Sequence, residues 1–364
     1  MSFIDQLISN TIRADVRAAS SYKVADAAGF LKLDAMENPY QLPAPLRAEL
    51  ATRLAAAELN RYPASYDTLK QTVCARLGVP PDYGVILGNG SDELISLIAI
   101  ATARQDRQER AVILAPTPAF VMYQRSAQFA GMDFIGVPLK SNFTLDMPAM
   151  LAAIAQHKPA VLFLAYPNNP TGNLYDAADM AELIDALGNT GIAVVDEAYE
   201  PFARTSFMAH LPEFENLVVM RTLSKLGLAG IRLGYMSAAP ALLAEFEKVR
   251  PPYNISVLTL VAAQFALEHL DVLDAQAAQI NAARTTLAAE LAALPDVEVF
   301  PSAANFLLFR VSNGEQTCAK LLAARVLVKN LGKMGALANC IRVTVSTPEE
   351  NSAFLTALQA ALKP

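Results

Sequence analysis

Three residues spaced about one strand–helix unit apart could share a single chemical task. Asn169 lies in Tyr166-Pro-Asn-Asn-Pro-Thr-Gly172, Asp196 lies in Val194-Val-Asp-Glu-Ala-Tyr199, and Lys225 closes Thr222-Leu-Ser-Lys225. The steps between them are 27 and 29 residues. Each segment sits at or just beyond the end of a predicted strand, where open parallel sheets bind ligands. An amine, a carboxylate and a carboxamide placed there could hold an aromatic aldehyde as an imine and use its ring to accept electrons. A free lysine has a pKa of about 10.4 and is a poor nucleophile at neutral pH. Held as an imine, it can be exchanged for an incoming amine and then carry the proton to and from the substrate α-carbon. Asp196 would keep a ring nitrogen protonated. That charge-assisted bond is worth roughly 1.5–3 kcal/mol and acts where charge develops.

A second set of residues could bind a phosphate. Gly88-Asn-Gly-Ser-Asp-Glu93 follows a strand and opens a helix. Gly90 allows close backbone approach, and the amides of Ser91 and Asp92 would point from the helix N-terminus. A helix end alone contributes about 0.3–1 kcal/mol, too little for a dianion. Arg232, seven residues after Lys225, supplies a two-pronged clamp, and Thr222 and Ser224 add hydroxyls. The cofactor that needs all these groups is pyridoxal 5′-phosphate. Asn169 and Tyr199 are then placed to hydrogen-bond its 3′-oxygen, and Phe120 to stack on its ring. The chain has no tryptophan to do so. Plainer readings stand beside these: a tight turn for Gly-Asn-Gly, a helix cap or metal ligand for Asp196, a core side chain for Phe120.

The elements that must carry these residues read as an α/β fold. Short β-rich runs occur at Val85–Leu87, Ala111–Ala115, Phe134–Leu139, Ala160–Ala165, Ile192–Asp196, Leu217–Met220 and Leu233–Ser237. Helical patterns lie between most of them, at Asp92–Arg104, Ala119–Gly131, Asp146–His157 and Asp176–Leu187. Alternation of this kind predicts a mostly parallel sheet, and the nearly continuous apolar strands predict helices on both faces. From about Pro252 the pattern changes. Ala/Leu-rich helices Ser256–His269 and Val272–Leu294 precede strands Val297–Phe300, Asn305–Val311 and Cys340–Val345 and helices Gln316–Ala324 and Pro348–Leu362. The expected division is an irregular N-terminal arm over 1–45, a large domain over 46–252 and a small α+β domain over 253–364.

Composition narrows the function classes. The 364 residues suggest about two domains. Apolar residues make up 53%, enough for a large core and for surface buried between subunits. A net charge of −6 gives no basic face for nucleic acid. No apolar run is long enough to span a bilayer, and no signal peptide opens the chain. Cys74, Cys318 and Cys340 are scattered and odd in number, which fits a reducing cytoplasm. His157, His210 and His269 form no close pair, so no metal site is expected.

Together these segments resemble the fold-type-I pyridoxal-phosphate enzymes, specifically the histidinol-phosphate aminotransferases, over almost the whole chain. The subfamily is indicated by Ala35-Met-Glu-Asn-Pro39, Asn60-Arg-Tyr-Pro63, Ala119-Phe-Val-Met-Tyr123, Thr222-Leu-Ser-Lys225, Ala304-Asn-Phe306 and Cys340-Ile-Arg-Val-Thr-Val345. The resemblance implies a large domain with a seven-stranded sheet sandwiched by helices, and a homodimer with shared active sites. It implies transamination between L-histidinol phosphate and 2-oxoglutarate, with Lys225, Asp196 and Tyr199 catalytic. Tyr62 would reach the cofactor phosphate of the other subunit. Arg342, supported by Asn305, would receive the substrate carboxylate or phosphate, and Tyr22, Asn38 and Lys329 would complete that end. Many relatives carry an arginine where this chain has Lys329, and the spacing from Lys225 to Arg232 is one residue shorter here. A threonine-phosphate decarboxylase, an aromatic-amino-acid transaminase or an aminotransferase-like regulatory domain would share much of this pattern.

Overall fold

The computed structural model describes residues 2–21, 25–104, 109–332 and 335–363. Its strands, in chain order, begin with β1 (Leu31–Lys32), β2 (Ile86–Gly88), β3 (Val112–Thr117), β4 (Asp133–Pro138), β5 (Val161–Ala165) and β6 (Ile192–Asp196). They continue with β7 (Leu217–Thr222), β8 (Gly234–Ala238), β9 (Glu298–Val299), β10 (Phe306–Arg310), β11 (Val326–Leu327), β12 (Lys329–Asn330) and β13 (Cys340–Thr344).

β2 to β8 form the predicted seven-stranded sheet, in the order β2-β8-β7-β6-β5-β3-β4. β8 pairs antiparallel with both neighbours, and the remaining pairs are parallel. β5 and β7 are buried at every position. The period of two along a strand divides their side chains between two cores. Leu162, Leu164, Val195 and Val219 join one cluster; Phe163, Val194, Val218 and Met220 join the other. Fully burying each such side chain contributes about 1.5–3 kcal/mol, so a one-residue slip, which reverses every side chain, is strongly disfavoured.

The C-terminal sheet has the order β12-β13-β10-β9 and is antiparallel. It packs on the 23-residue helix Leu270–Ala292 through Ile280, Leu287 and Leu291. The N-terminal region joins this part of the molecule. β1 pairs in parallel with β11, and the Thr344 amide donates to the carbonyl of Leu33 at 2.8 Å.

The first residues differ from the irregular arm expected. Phe3–Thr11 and Ala14–Ala18 are helical. Ser2 caps the first helix and Asp5 returns a bond to the Ser2 amide, a reciprocal cap that overrides the poor propensity of this segment. Helices Ala44–Ala55, Asp67–Arg76 and Pro240–Glu247 are further elements that the alternating pattern did not predict.

Candidate active site

A cleft opens beyond the carboxyl ends of β5, β6 and β7. Asn169, Asp196, Tyr199 and Lys225 all line it, with Phe120 and Met36. Parallel pairing explains the convergence: Ala165 is in register with Asp196, and Asp196 with Met220. The three segments therefore emerge side by side.

Lys225 sits in a wide turn, Ser224–Leu228, directly after β7. Gly227 holds that turn at φ 131°, and a Cβ there would lie 2.9 Å from the Asn38 amide nitrogen. The Lys225 Nζ donates to the Ala35 carbonyl at 2.9 Å. Burial, aided by Arg342, lowers its pKa to about 8. Asp196 is also buried. Loss of solvent raises its pKa to about 6, against the opposing hydrogen bonds from Tyr123 and the Ala198 amide. These are 2.7 Å from Tyr123 Oη to Oδ2 and 3.1 Å from Ala198 N to Oδ1.

Tyr123 is a contact that the sequence reading missed. It is fully buried, stacks on Phe163 with ring centroids 4.3 Å apart, and meets the edge of Phe120 at 5.7 Å. The available signal was its place three residues after Phe120, on the same face of helix Val121–Ala130.

Asn169 is oriented from both sides. Its Oδ1 accepts from Arg342 Nη1, and its Nδ2 donates to Tyr199 Oη at 3.1 Å. Burial raises the Tyr199 pKa, so the phenol keeps its proton and can donate it to a ligand oxygen.

At the other side of the cleft, helix Ser91–Thr102 begins without a side-chain cap. Its first amides are open to an anion. Gly90, at φ 78°, leaves room for Arg232, whose Nη2 would lie 2.6 Å from an added Cβ. Arg232 reaches Ser224 Oγ and Asp92 Oδ2, both at 3.4 Å, and Thr222 Oγ1 donates to Ser224 Oγ at 2.9 Å. The shortened loop thus still brings Arg232 into the cleft. These groups fit pyridoxal phosphate: an amine for the aldehyde, a buried acid for the ring nitrogen, a tyrosine–asparagine pair for the 3′-oxygen, and an uncapped helix end with a guanidinium for the phosphate.

The residues read as substrate contacts are spread more widely. Arg342 lies beside the cleft, bonded to Asn169 and, at 3.0 Å, to the Asp34 carbonyl. Lys329 is its direct cross-strand partner in the β12–β13 pairing. Asn305 is buried and donates to the Met36 carbonyl at 2.9 Å. Asn38 does not line the cleft. Its amide donates to the Leu226 carbonyl and to Gln276, which ties it to the lysine turn. Tyr62 is also outside the cleft, 74% exposed and stacked on Tyr253 at 4.3 Å. Tyr22 lies outside the described residues.

Comparison with known proteins adds to this geometry. Residues 28–358 match the family model described as aminotransferase class I and II. The chain is 57% identical to histidinol-phosphate aminotransferase 2 of Cupriavidus pinatubonensis (strain JMP 134 / LMG 1197), over 100% of both chains. It is 58% identical to histidinol-phosphate aminotransferase 1 of Ralstonia nicotianae (strain ATCC BAA-1114 / GMI1000), over 99% of this chain and 96% of that one. Among solved structures, the histidinol-phosphate aminotransferase of Sinorhizobium meliloti in complex with pyridoxal-5′-phosphate superposes with a TM-score of 0.85. It covers 97% of both chains at 23% identity, a likeness of fold.

Proposed function

The chain belongs to the class I and II aminotransferases, and from that premise we propose that it is a pyridoxal-phosphate-dependent histidinol-phosphate transaminase. It exchanges the amino group between L-histidinol phosphate and 2-oxoglutarate, giving imidazole-acetol phosphate and L-glutamate in histidine biosynthesis. The observation that carries this reading is the 57% identity, along the full length of both chains, to a curated histidinol-phosphate aminotransferase.

The cofactor, when bound, supplies an electron sink for the carbanion formed at the substrate α-carbon. Lys225 would hold it through Nζ and would carry the substrate α-carbon proton. With a pKa of about 8, a useful fraction of this amine is neutral near physiological pH. Asp196, largely ionised at neutral pH, would accept the ring N–H. Tyr123 and the Ala198 amide fix the two carboxylate oxygens, so the acid does not need to reorganise as charge develops. Tyr199 and Asn169 would hold the 3′-oxygen, and Phe120 would stack on the ring. The amides of Ser91 and Asp92, the hydroxyls of Thr222 and Ser224, and Arg232 would hold the phosphate.

Arg342 and Lys329 take the anionic end of each substrate. Asn305 supports this end through Met36, and Asn38 through the lysine turn. Among the described residues no helix is long and apolar enough to cross a membrane, and the place of work we assign is the cytoplasm. The assembly we assign is a homodimer in which Tyr62 serves the partner's cofactor phosphate, with Tyr22 a substrate-phosphate contact. Support comes from the exposed Tyr62 and from helix Phe3–Thr11, which buries none of its apolar residues.

The test has two parts. Enzyme mixed with glutamate alone should convert the cofactor spectrum to that of the amine form. In steady state, kcat/KM for histidinol phosphate should exceed that for phenylalanine, tyrosine and threonine phosphate. Absence of the half-reaction removes the transaminase reading; preference for another substrate removes the pathway assignment.

A further inference from the structure

Strand parity gives the ends of β6 and β7 two faces. Asp196 and Thr222 continue the positions of Val194 and Met220 and line the cleft. Glu197 and Arg221 occupy the alternate positions, on the side of Val195 and Val219. There they meet: Arg221 Nε donates to Glu197 Oε2 at 2.8 Å, and Glu197 is 1% exposed. Arg221 reaches three other segments as well. It bonds Ser206 Oγ at 2.6 Å, the Leu77 carbonyl at 3.1 Å and Tyr235 Oη at 3.4 Å. Glu197 also accepts from Ser206 Oγ at 2.8 Å and from the Phe207 amide at 2.5 Å. Arg221 lines a second cleft behind the strand ends, with Glu200, Ser206 and Leu226. Neither member of the pair lines the front cleft.

Burying a charge pair is costly, and apolar residues of similar volume often give equal or greater stability. Stability alone is therefore a weak reason for this pair. Its place in the chain supplies another. Glu197 directly follows Asp196, and Arg221 directly precedes Thr222 and stands four residues before Lys225. We propose that Glu197 and Arg221 are positioning residues: by tying the end of β6 to the end of β7, they set the angle at which Asp196 and the Thr222–Lys225 turn face the cleft. The Glu197 amide, bonded to the Met220 carbonyl at 2.8 Å, extends the ladder between the same two strands. This inference rests on the cofactor reading of Asp196 and Lys225.

The experiment compares purified holoenzymes: wild type, Glu197→Gln, and the apolar pair Glu197→Leu with Arg221→Met. Each is followed by thermal melting, by a pH titration of the bound cofactor's absorbance, and by steady-state kinetics. The apolar pair should melt cooperatively near the wild-type temperature. Its kcat should fall about a hundredfold with KM little changed, the cost of a small misplacement, and its titration midpoint should move by about half a pH unit. Glu197→Gln, which keeps the shape and most hydrogen bonds, should lose about tenfold in kcat. A folded apolar pair with wild-type midpoint and kcat overturns the proposal. So does failure of either variant to melt cooperatively, because the pair is then a determinant of folding. A wild type that takes up no pyridoxal phosphate would instead overturn the cofactor reading.

Discussion

At the cofactor end of the cleft, Asp196 and Lys225 stand 29 residues apart in sequence and come from adjacent parallel strands. At the substrate end, Arg342 reaches the Asp34 carbonyl across 308 residues of chain. The first end is built by topology. Consecutive strand–helix units deliver their ends to one edge, and each strand is held by a buried ladder. The second depends on two-residue strands, β1, β11 and β12, and on backbone carbonyls of Asp34, Ala35 and Met36 that accept from Arg342, Lys225 and Asn305. The contacts of Arg342 and Asn305 are long-range in sequence and join the N-terminal segment to the C-terminal sheet. The difference suits a site in which one partner stays bound and two substrates take turns.

Charge follows the same division. The cofactor end places a buried acid opposite a buried amine, each held by loss of solvent away from its usual pKa. The substrate end places Lys329 directly across from Arg342. Breaking the first end should cost chemistry, whereas breaking the second should cost affinity.

The largest effect is expected for Lys225→Ala. Removal of the proton carrier should slow the glutamate half-reaction by about 10²–10⁴-fold, read as a single-turnover change in cofactor absorbance. Borohydride trapping should at the same time lose its labelled peptide around position 225. A variant that retains near wild-type turnover would end the comparison at its stronger side.

Asp196→Asn should lower kcat by about 10²–10³-fold, as removal of a preorganised electrostatic partner does elsewhere. It should also make the cofactor-free protein more stable. The folded-state pKa of Asp196, about 6, lies above the usual aspartate value of about 3.9. The folded state therefore binds more protons than the unfolded chain between those values, and stability falls as pH rises through that window. At neutral pH the buried carboxylate costs about 3 kcal/mol, which asparagine avoids. Denaturant melts should show the variant ahead of wild type at neutral pH, with the gap closing from about pH 6 to about pH 4. A constant gap across that range would mean that folding does not shift the pKa of Asp196, and that the acid is ionised in the cleft as readily as in water.

Arg342→Lys tests the substrate end. It keeps the charge and loses the planar fork that contacts Asn169 and Asp34 together. KM for both substrates should rise about tenfold, the worth of one charge-assisted bond, while kcat changes less. A fall in kcat with KM unchanged would place Arg342 with the cofactor machinery instead.

The same contrast decides what was legible in the sequence. The seven strands of the main sheet were readable as short apolar runs, six of them largely buried on both faces and the edge strand β4 only in part, and Asn169, Asp196 and Lys225 followed from their position at strand ends. Tyr123 was not read as a site residue, since a tyrosine on a helix beside apolar neighbours looks like core, and it is core as well. β1, β11 and β12 are too short to leave a pattern. The bonds of Asn38 to Leu226 and Gln276 were not legible, because they depend on a fold that brings residues 188 and 238 positions away to it. Ser2 and Asp5 carried a legible helix start, three residues apart, that the general irregularity of the arm obscured.

Lys329→Arg should have the smallest effect and sharpen the comparison most. In the antiparallel β12–β13 pair, residues directly opposite have their Cβ atoms about 4.5–5.5 Å apart on the same face. An arginine at 329 would therefore set two guanidinium forks side by side. The lysine offers a compact, strongly hydrated charge whose flexible stem must be ordered on binding. The fork matches a phosphate in two places and needs less ordering for each bond. The expected gain is about 0.5–1 kcal/mol, a two- to fivefold lower KM for histidinol phosphate. Glutamate, whose smaller carboxylate can be satisfied by Arg342 alone, should change less. Equal improvement for both substrates would show a general charge effect, and no change for either would mean that the strand pairing does not bring position 329 to the substrate.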